Sequence, residues 1–423
     1  MQAQPQQFIA LVGGTLIDGT GNDPINDAVI IIQGSTIHHV GARNAIDIPA
    51  DARIIDVAGK TVMPGMIECH AHLSTVTVDI KKRLHTYPTV KIFQTAQVMK
   101  RVLHAGFTTV RDAGGLDVGF RHAVEMGLVE GPRLVVAGPL RQTGGHFDKY
   151  YPFGVEISIW GLPRSDGVPA VQQSSREILR QGFDFIKVCT TGGIVSPTDH
   201  PEYTEWTMEE LNAIVYEASA RGKAVMAHAQ GTQGIKNAIR AGIYSVEHGS
   251  MLDEEAVQMM LAKGTYLVPT LFAFQYLVDH GEEMGLSPVE LSKIAVVSHH
   301  CATSFQMAAR AGVKIATGSD IIDGTAHGRN AEELVLMVQC GFTPMQAIVA
   351  ATRIAAEVCR VDDKVGILRA GKLADLLVVD GNPLDNIAIL ADSSRLLMVM
   401  KDGKPYVNKL MKSSTRKIKG HIE

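Results

Sequence analysis

The stretch Pro64-Gly65-Met66-Ile67-Glu68-Cys69-His70-Ala71-His72 closes a short apolar run with two histidines two residues apart. On a strand, side chains at i and i+2 point to the same face, so His70 and His72 can grip one metal ion together. Imidazole is a common ligand for zinc and its neighbours, and two on one rigid strand make a preorganised half-site. An H-x-H pair by itself is a weak signal. Its weight depends on the chain downstream.

Beyond residue 72 the sequence alternates. Apolar runs at 108–110, 134–137, 185–188, 224–227 and 314–317 take turns with amphipathic stretches at 207–221, 233–241 and 331–340. Alternation of this kind predicts an α/β fold, a TIM-like (β/α)8 barrel over residues 63–359, with a doubly wound open sheet as runner-up. Short β-type runs at 8–12, 15–18, 28–33, 36–40 and 54–56 return near the far end as 376–379 and 396–400. Residues 8–62 and 360–411 are therefore expected to build one small β-sandwich domain from both chain ends.

In such a barrel the active site lies at the C-terminal strand ends, about one βα unit every 30 residues. With His70 and His72 ending strand 1, His228, His248 and Asp320 fall at the ends of strands 5, 6 and 8. Each has a plainer reading, since a histidine after an apolar run can be a hydrogen-bonded core residue and Asp320 can cap a helix. Their joint placement on one face favours a metal site. Lys187 sits inside the apolar run 183–189, where an ammonium is costly to bury and is repelled by nearby dications. Carboxylation by CO2 would turn it into an anionic carbamate able to bridge two metals. The alternative is an ion pair with Asp184 or a side chain that snorkels out of the strand end.

These residues resemble the binuclear pattern of the amidohydrolase superfamily across the whole chain. Thr143-Gly144-Gly145-His146, Thr190-Thr191-Gly192-Gly193, Ala227-His228-Ala229, Val246-Glu247-His248-Gly249 and His327-Gly328-Arg329-Asn330-x-Glu332 are similar to one branch of it. That branch holds Xaa-Pro and Xaa-Arg dipeptidases of metallocarboxypeptidase type and ochratoxin-hydrolysing amidases. The resemblance implies two divalent ions, zinc by default, held by His70, His72, carboxylated Lys187, His228, His248 and Asp320. Two departures stand out: Glu68 where aspartate is usual, and Gln230 where several dipeptidases carry tyrosine.

The expected chemistry is attack of a metal-bridging hydroxide on an amide carbonyl. Asp320 would shuttle the proton to the leaving nitrogen, and His146 would donate to the developing oxyanion. Gln230, His327 and Asn330 are the expected substrate contacts, although Asn330 could equally cap a helix from Ala331. The expected substrates are N-acyl amino acids or dipeptides cleaved carboxypeptidase-fashion, with N-aroyl phenylalanine of the ochratoxin type first among them. Imidazolonepropionase-like opening of a cyclic amide or lactone is the nearest alternative, but a mononuclear site has no use for Lys187. Mononuclear deaminases place a glutamate where Gly231 stands, and a non-catalytic scaffold would usually have lost ligands.

Composition narrows the rest. The chain has 423 residues, is 46% hydrophobic and 20% charged, and carries a formal net charge of −4. That balance argues against nucleic acid or an anionic membrane as partner. The basic residues Lys409, Lys412, Arg416, Lys417 and Lys419 read as a solvated tail. Five scattered cysteines contain no C-x-x-C pair, so neither a disulfide framework nor a thiolate zinc site is expected. A cytoplasmic location is favoured; the polar start Met1–Gln7 would also suit a chain whose leader has been removed. The branch resemblance and the amphipathic stretch 291–305 imply a homo-oligomer, an octamer by resemblance.

Overall fold

The computed structural model describes residues 7–147, 164–196 and 199–410. The N-terminal hexapeptide and the basic tail beyond 410 lie outside the described residues.

Seven parallel strands form the barrel wall in chain order: Met66–Ala71, Phe107–Asp112, Arg133–Pro139, Phe185–Cys189, Ala224–Ala229, Ser245–His248 and Tyr266–Val268. The eighth stave is the irregular stretch 314–320. Leu267 N–H donates to the Lys314 carbonyl and Ala316 N–H to the Leu267 carbonyl on one side. On the other side Cys69 N–H donates to the Thr317 carbonyl and Asp320 N–H to the His70 carbonyl. Strands 5, 6 and 8 thus end where their histidines and aspartate were expected. The three-residue strand Tyr266–Val268 was too short to register as a separate run.

Alternating strand residues feed two apolar layers. Val110, Leu134, Val136, Ile186, Val188, Val225, Val246 and Leu267 face the helices in the main core. Ile67, Cys69, Val135, Ala137, Phe185, Met226, Val268 and Ala316 fill the barrel's interior, packed against Ala355, Ala356, Val358 and Cys359 of the helix Arg353–Cys359. Tyr266 and Lys314, both near strand starts, reach Glu357 of that helix at 3.0 and 2.7 Å. The helix therefore closes the barrel end opposite the histidines.

Helices start where the sequence supplies caps. Thr207 with Glu210, Ser287 with Glu290 and Thr343 with Gln346 make reciprocal capping boxes at Met208–Ser219, Pro288–Ala311 and Pro344–Ala350. The apolar stripe of Pro288–Ala311, including Ile294, Val297, Cys301 and Phe305, is buried in the chain's own core. This stripe gives no reason for an intersubunit contact.

The second sheet draws on both chain ends, as expected. Its order is Lys404–Asn408, Leu396–Lys401, Leu376–Val379, Thr61–Pro64, Phe8–Leu16, Ile25–Gln33, Thr36–Ala42, with Arg53–Asp56 beside Phe8–Leu16. The runs 8–12 and 15–18 are one strand with a bulge at Gly13, whose φ of +91° needs glycine. Thr61–Pro64 pairs antiparallel with Leu376–Val379, so the sheet extends past residue 62 to Pro64. Arg133, at the start of barrel strand 3, bonds Asp375 at 2.7 Å and ties the two parts together. Among the described residues no helix is long and apolar enough to cross a membrane.

Candidate metal centre

The four strand-end histidines share one arrangement. In each, one ring nitrogen is hydrogen-bonded to the wall: His70 Nδ1 to Glu247 Oε2 at 2.7 Å, and His72 Nδ1 to the Gly114 carbonyl at 2.6 Å. His228 Nε2 meets the Gly192 carbonyl at 3.0 Å, and His248 Nδ1 the Thr270 hydroxyl at 2.7 Å. Such partners fix ring orientation and leave the opposite nitrogen for a metal. Burial pulls all four imidazoles below their ordinary pKa, His72 to about 3. They stay neutral, which coordination requires.

The open nitrogens converge. Asp320 Oδ1 lies 3.4 Å from His72 Nε2 and 3.7 Å from His70 Nε2, and ligand atoms of the three fall within 4.8 Å of one another. The His228 and His248 rings sit 4.6 Å apart, and the His70 and His248 rings 5.0 Å. Between the two groups stands Lys187, its Nζ 3.5 Å from His70 Nε2. Asp184 is engaged by Arg121 and Lys223 instead. Burial lowers the Lys187 pKa, opposed chiefly by Cys189, Glu247 and Asp320, which favours the neutral amine, the form that can attack CO2. Desolvation pushes Asp320 up to about 7. Among the described residues, His70, His72 and Asp320 form a donor group that could hold a metal ion.

Backbone strain marks the same spot. His248, Thr270 and Asp320 hold φ of +73°, +50° and +48°, in the left-handed region that non-glycine residues avoid. His248, its partner Thr270 and Asp320 are therefore held where the surroundings overrule local preference.

Beneath the histidines lies a charged layer that the sequence does not announce. Arg111 is fully buried and donates to the Cys69 carbonyl (2.7 Å), Ser245 Oγ (3.0 Å) and Glu247 Oε1 (2.9 Å). Glu247 holds His70 through its other oxygen. Arg111 is a cation inside an apolar strand, the same signal that drew attention to Lys187. Glu68, fully buried, accepts from His70 N–H and Ser319 N–H at 2.9 Å and from Ser319 Oγ at 2.6 Å. It locks strand 1 to the Asp320 stave.

His146 lines the cavity, stacked on His228 with centroids 4.6 Å apart, its Nδ1 2.7 Å from Asp199 Oδ2. The sequence carries no sign of Asp199's role. Gly193 packs so closely that a Cβ there would fall 2.1 Å from His146 Cε1. Gln230 also lines the cavity, 2% exposed, with its Oε1 lacking a hydrogen-bond partner. His327 and Asn330 are corrections: both are buried behind the wall. His327 Nε2 meets the Thr75 carbonyl at 2.8 Å, and Asn330 Nδ2 donates to Glu68 and Ser319 at 2.9 Å. Nor does Asn330 cap the next helix, whose N-cap is Ala331. Above the histidines opens a cavity of about 840 Å³.

The amidohydrolase family model matches residues 61–406, most of the chain. The chain belongs to the amidohydrolase family. It is 33% identical over 418 residues to the ochratoxinase of Aspergillus niger, covering 93% of this chain and 85% of that one. A prolidase crystallised with N-methylphosphonate-L-proline superposes with TM-score 0.88 at 34% identity, over 95% of this chain and 100% of the other. A Xaa-Pro dipeptidase with bound methionine gives 0.86 at 31%, with the same coverage. This amidohydrolase is a hydrolase acting on amide or peptide bonds, on a metal-dependent family's scaffold.

Proposed function

We propose that the protein releases the C-terminal amino acid from N-acyl amino acids or dipeptides, with N-aroyl phenylalanines of the ochratoxin type as the first substrates to try. The carrying observation is the convergence of four neutral imidazoles, each pinned at its far nitrogen, on Asp320 and Lys187. His70, His72, His228, His248, Asp320 and Lys187 as its carbamate would hold two divalent ions, zinc by default. Bound there, the metal pair supplies Lewis acidity to the amide carbonyl and lowers the pKa of water toward neutrality.

Asp320, with its raised pKa, takes a proton from the attacking water and passes it to the leaving nitrogen. His146 faces the carbonyl oxygen. With Nδ1–H donated to Asp199, its ring has a proton to give from Nε2 only as the imidazolium. Gln230, whose amide oxygen lacks a partner in the wall, accepts a substrate N–H. The apolar wall of Phe274, Leu277 and Met284 suits an aromatic or aliphatic side chain.

The test is a panel of N-acyl amino acids, dipeptides, hydantoins, lactones and aminopurines, with metal counted per chain. Two ions and cleavage of N-acyl amino acids support the proposal. Lactone or ring-amide opening without N-acyl amino acid cleavage would replace it with the cyclic-amide alternative.

A further inference from the structure

The cavity over the histidines is divided by charge. Phe274, Leu277, Met284, Leu286 and Ile322 make one side apolar. The other side carries Lys81 and Arg83 from the helix Ile80–His85, and Lys91 from the first turn of Pro88–His104. Among the described residues these three side chains have no hydrogen bond or ion pair. The acids on the same rim are already engaged. Asp79 caps Lys82 N–H at 3.2 Å and pairs with its ammonium at 3.8 Å, while Glu290 accepts from Ser287 N–H and Oγ.

Arg83 and Lys91 line the same side of the cavity and are close enough to feel one another. Burial against the wall, then the Arg83 guanidinium, pull the Lys91 ammonium below its usual pKa, against a smaller pull from Asp112. Like charges gathered at a cavity mouth, one facing low-dielectric wall, repel each other until an anion arrives, and they raise the local concentration of anions. Only the cation side offers such a partner; the apolar side offers none.

We propose that Arg83 and Lys91, with Lys81 at the rim, bind a substrate carboxylate and so restrict the enzyme to amides whose leaving amino acid keeps a free C-terminal carboxylate. This rests on the hydrolytic reading above. The carboxylate lies on the cationic side, the leaving residue's side chain against the apolar side, and the scissile amide over the histidines. A guanidinium can grip both carboxylate oxygens, while the lysines act as point charges.

The test uses metal-loaded enzyme in two arms. The first compares N-benzoyl-L-phenylalanine with its carboxamide, in wild type and in Arg83→Gln, Lys91→Gln and Arg83→Lys. Each glutamine variant should lower the acid-to-amide preference in kcat/KM roughly tenfold through KM, the lysine variant less. The second measures calorimetric binding of 3-phenylpropanoate and 3-phenylpropanamide, which needs no turnover. The anion should weaken roughly tenfold in the glutamine variants and the neutral amide should not. Equal changes for charged and neutral ligands, or an anion affinity that ignores both substitutions, overturn the subsite. If wild type cleaves neither amide, the hydrolytic reading fails and the binding arm alone decides the subsite.

Discussion

Replacing Arg111 with methionine removes a cation from a layer shut off from bulk solvent. Arg111 and Glu247 are both 0% exposed and 2.9 Å apart. Truncating one partner of a buried pair costs about 3–5 kcal/mol, because the other charge is left uncompensated. The melting entropy of a chain of 423 residues is about 0.9 kcal/mol/K, so the loss should lower Tm by about 3–6 °C. Glu247→Gln strands the guanidinium instead and should cost similarly. The double variant removes both charges, so its loss should fall short of the sum by about 2 kcal/mol. Thermal melts of the four proteins, with and without chelator, give the cycle. Metal affinity separates the partners: Glu247→Gln should weaken it about 10–100-fold through His70, Arg111→Met less. Strict additivity, or Arg111→Met melting within about 1 °C of wild type, would refute the claim that the layer works as a coupled ion pair.

Asp320→Asn should keep the fold and much of the bound metal while kcat falls by orders of magnitude, because the amide cannot accept the proton; near-normal kcat would reassign the base. Gly193→Ala should push His146 off its stack on His228 and lower kcat on the order of 10²–10³-fold with Tm little changed; unaltered kcat would mean that His146 does not touch the reacting group. Desolvation pushes the fully buried Glu333 up to about 8, opposed by N–H bonds from Phe272 and Leu271. Its contribution is fully present below about 4.5 and is lost, by up to roughly 1.4 kcal/mol per unit, as pH rises toward 8. The stability difference between wild type and Glu333→Gln should therefore move in the variant's favour as pH rises across that window; a flat difference would exclude the linkage.

The alternation of apolar runs and amphipathic stretches was enough to read the barrel, because strand and helix periodicities are local. Tyr266–Val268 escaped because three residues carry no period, and the eighth stave is held by scattered backbone bonds rather than a ladder. The candidate ligands stood out as polar residues ending apolar runs. Arg111 obeyed the same rule and was overlooked, since its neighbours Val110 and Asp112 offered an apolar and an acidic distraction. Asp199 was not legible at all: its tie to His146 spans 53 residues and two loops. His327 and Asn330 were misplaced because a motif gives neighbours in sequence, not which side of a wall each faces. Positive φ at His248 and Asp320 is likewise invisible, being imposed by tertiary contacts.

The sheet sewn from both chain ends sets a timetable for synthesis. Pro64 pairs with Leu376, 312 positions later, and the strand Thr61–Pro64 keeps an unpaired edge until that partner appears. At 5–20 residues per second the wait on the ribosome is roughly 15–60 s. Through that interval the N-terminal strands present an open template of the kind that recruits foreign strands, so the nascent chain needs shielding well before the catalytic half is complete. Ribosome-stalled chains ending near residue 370 should be cleaved readily within 8–64, and chains long enough to expose 376–408 beyond the exit tunnel should resist.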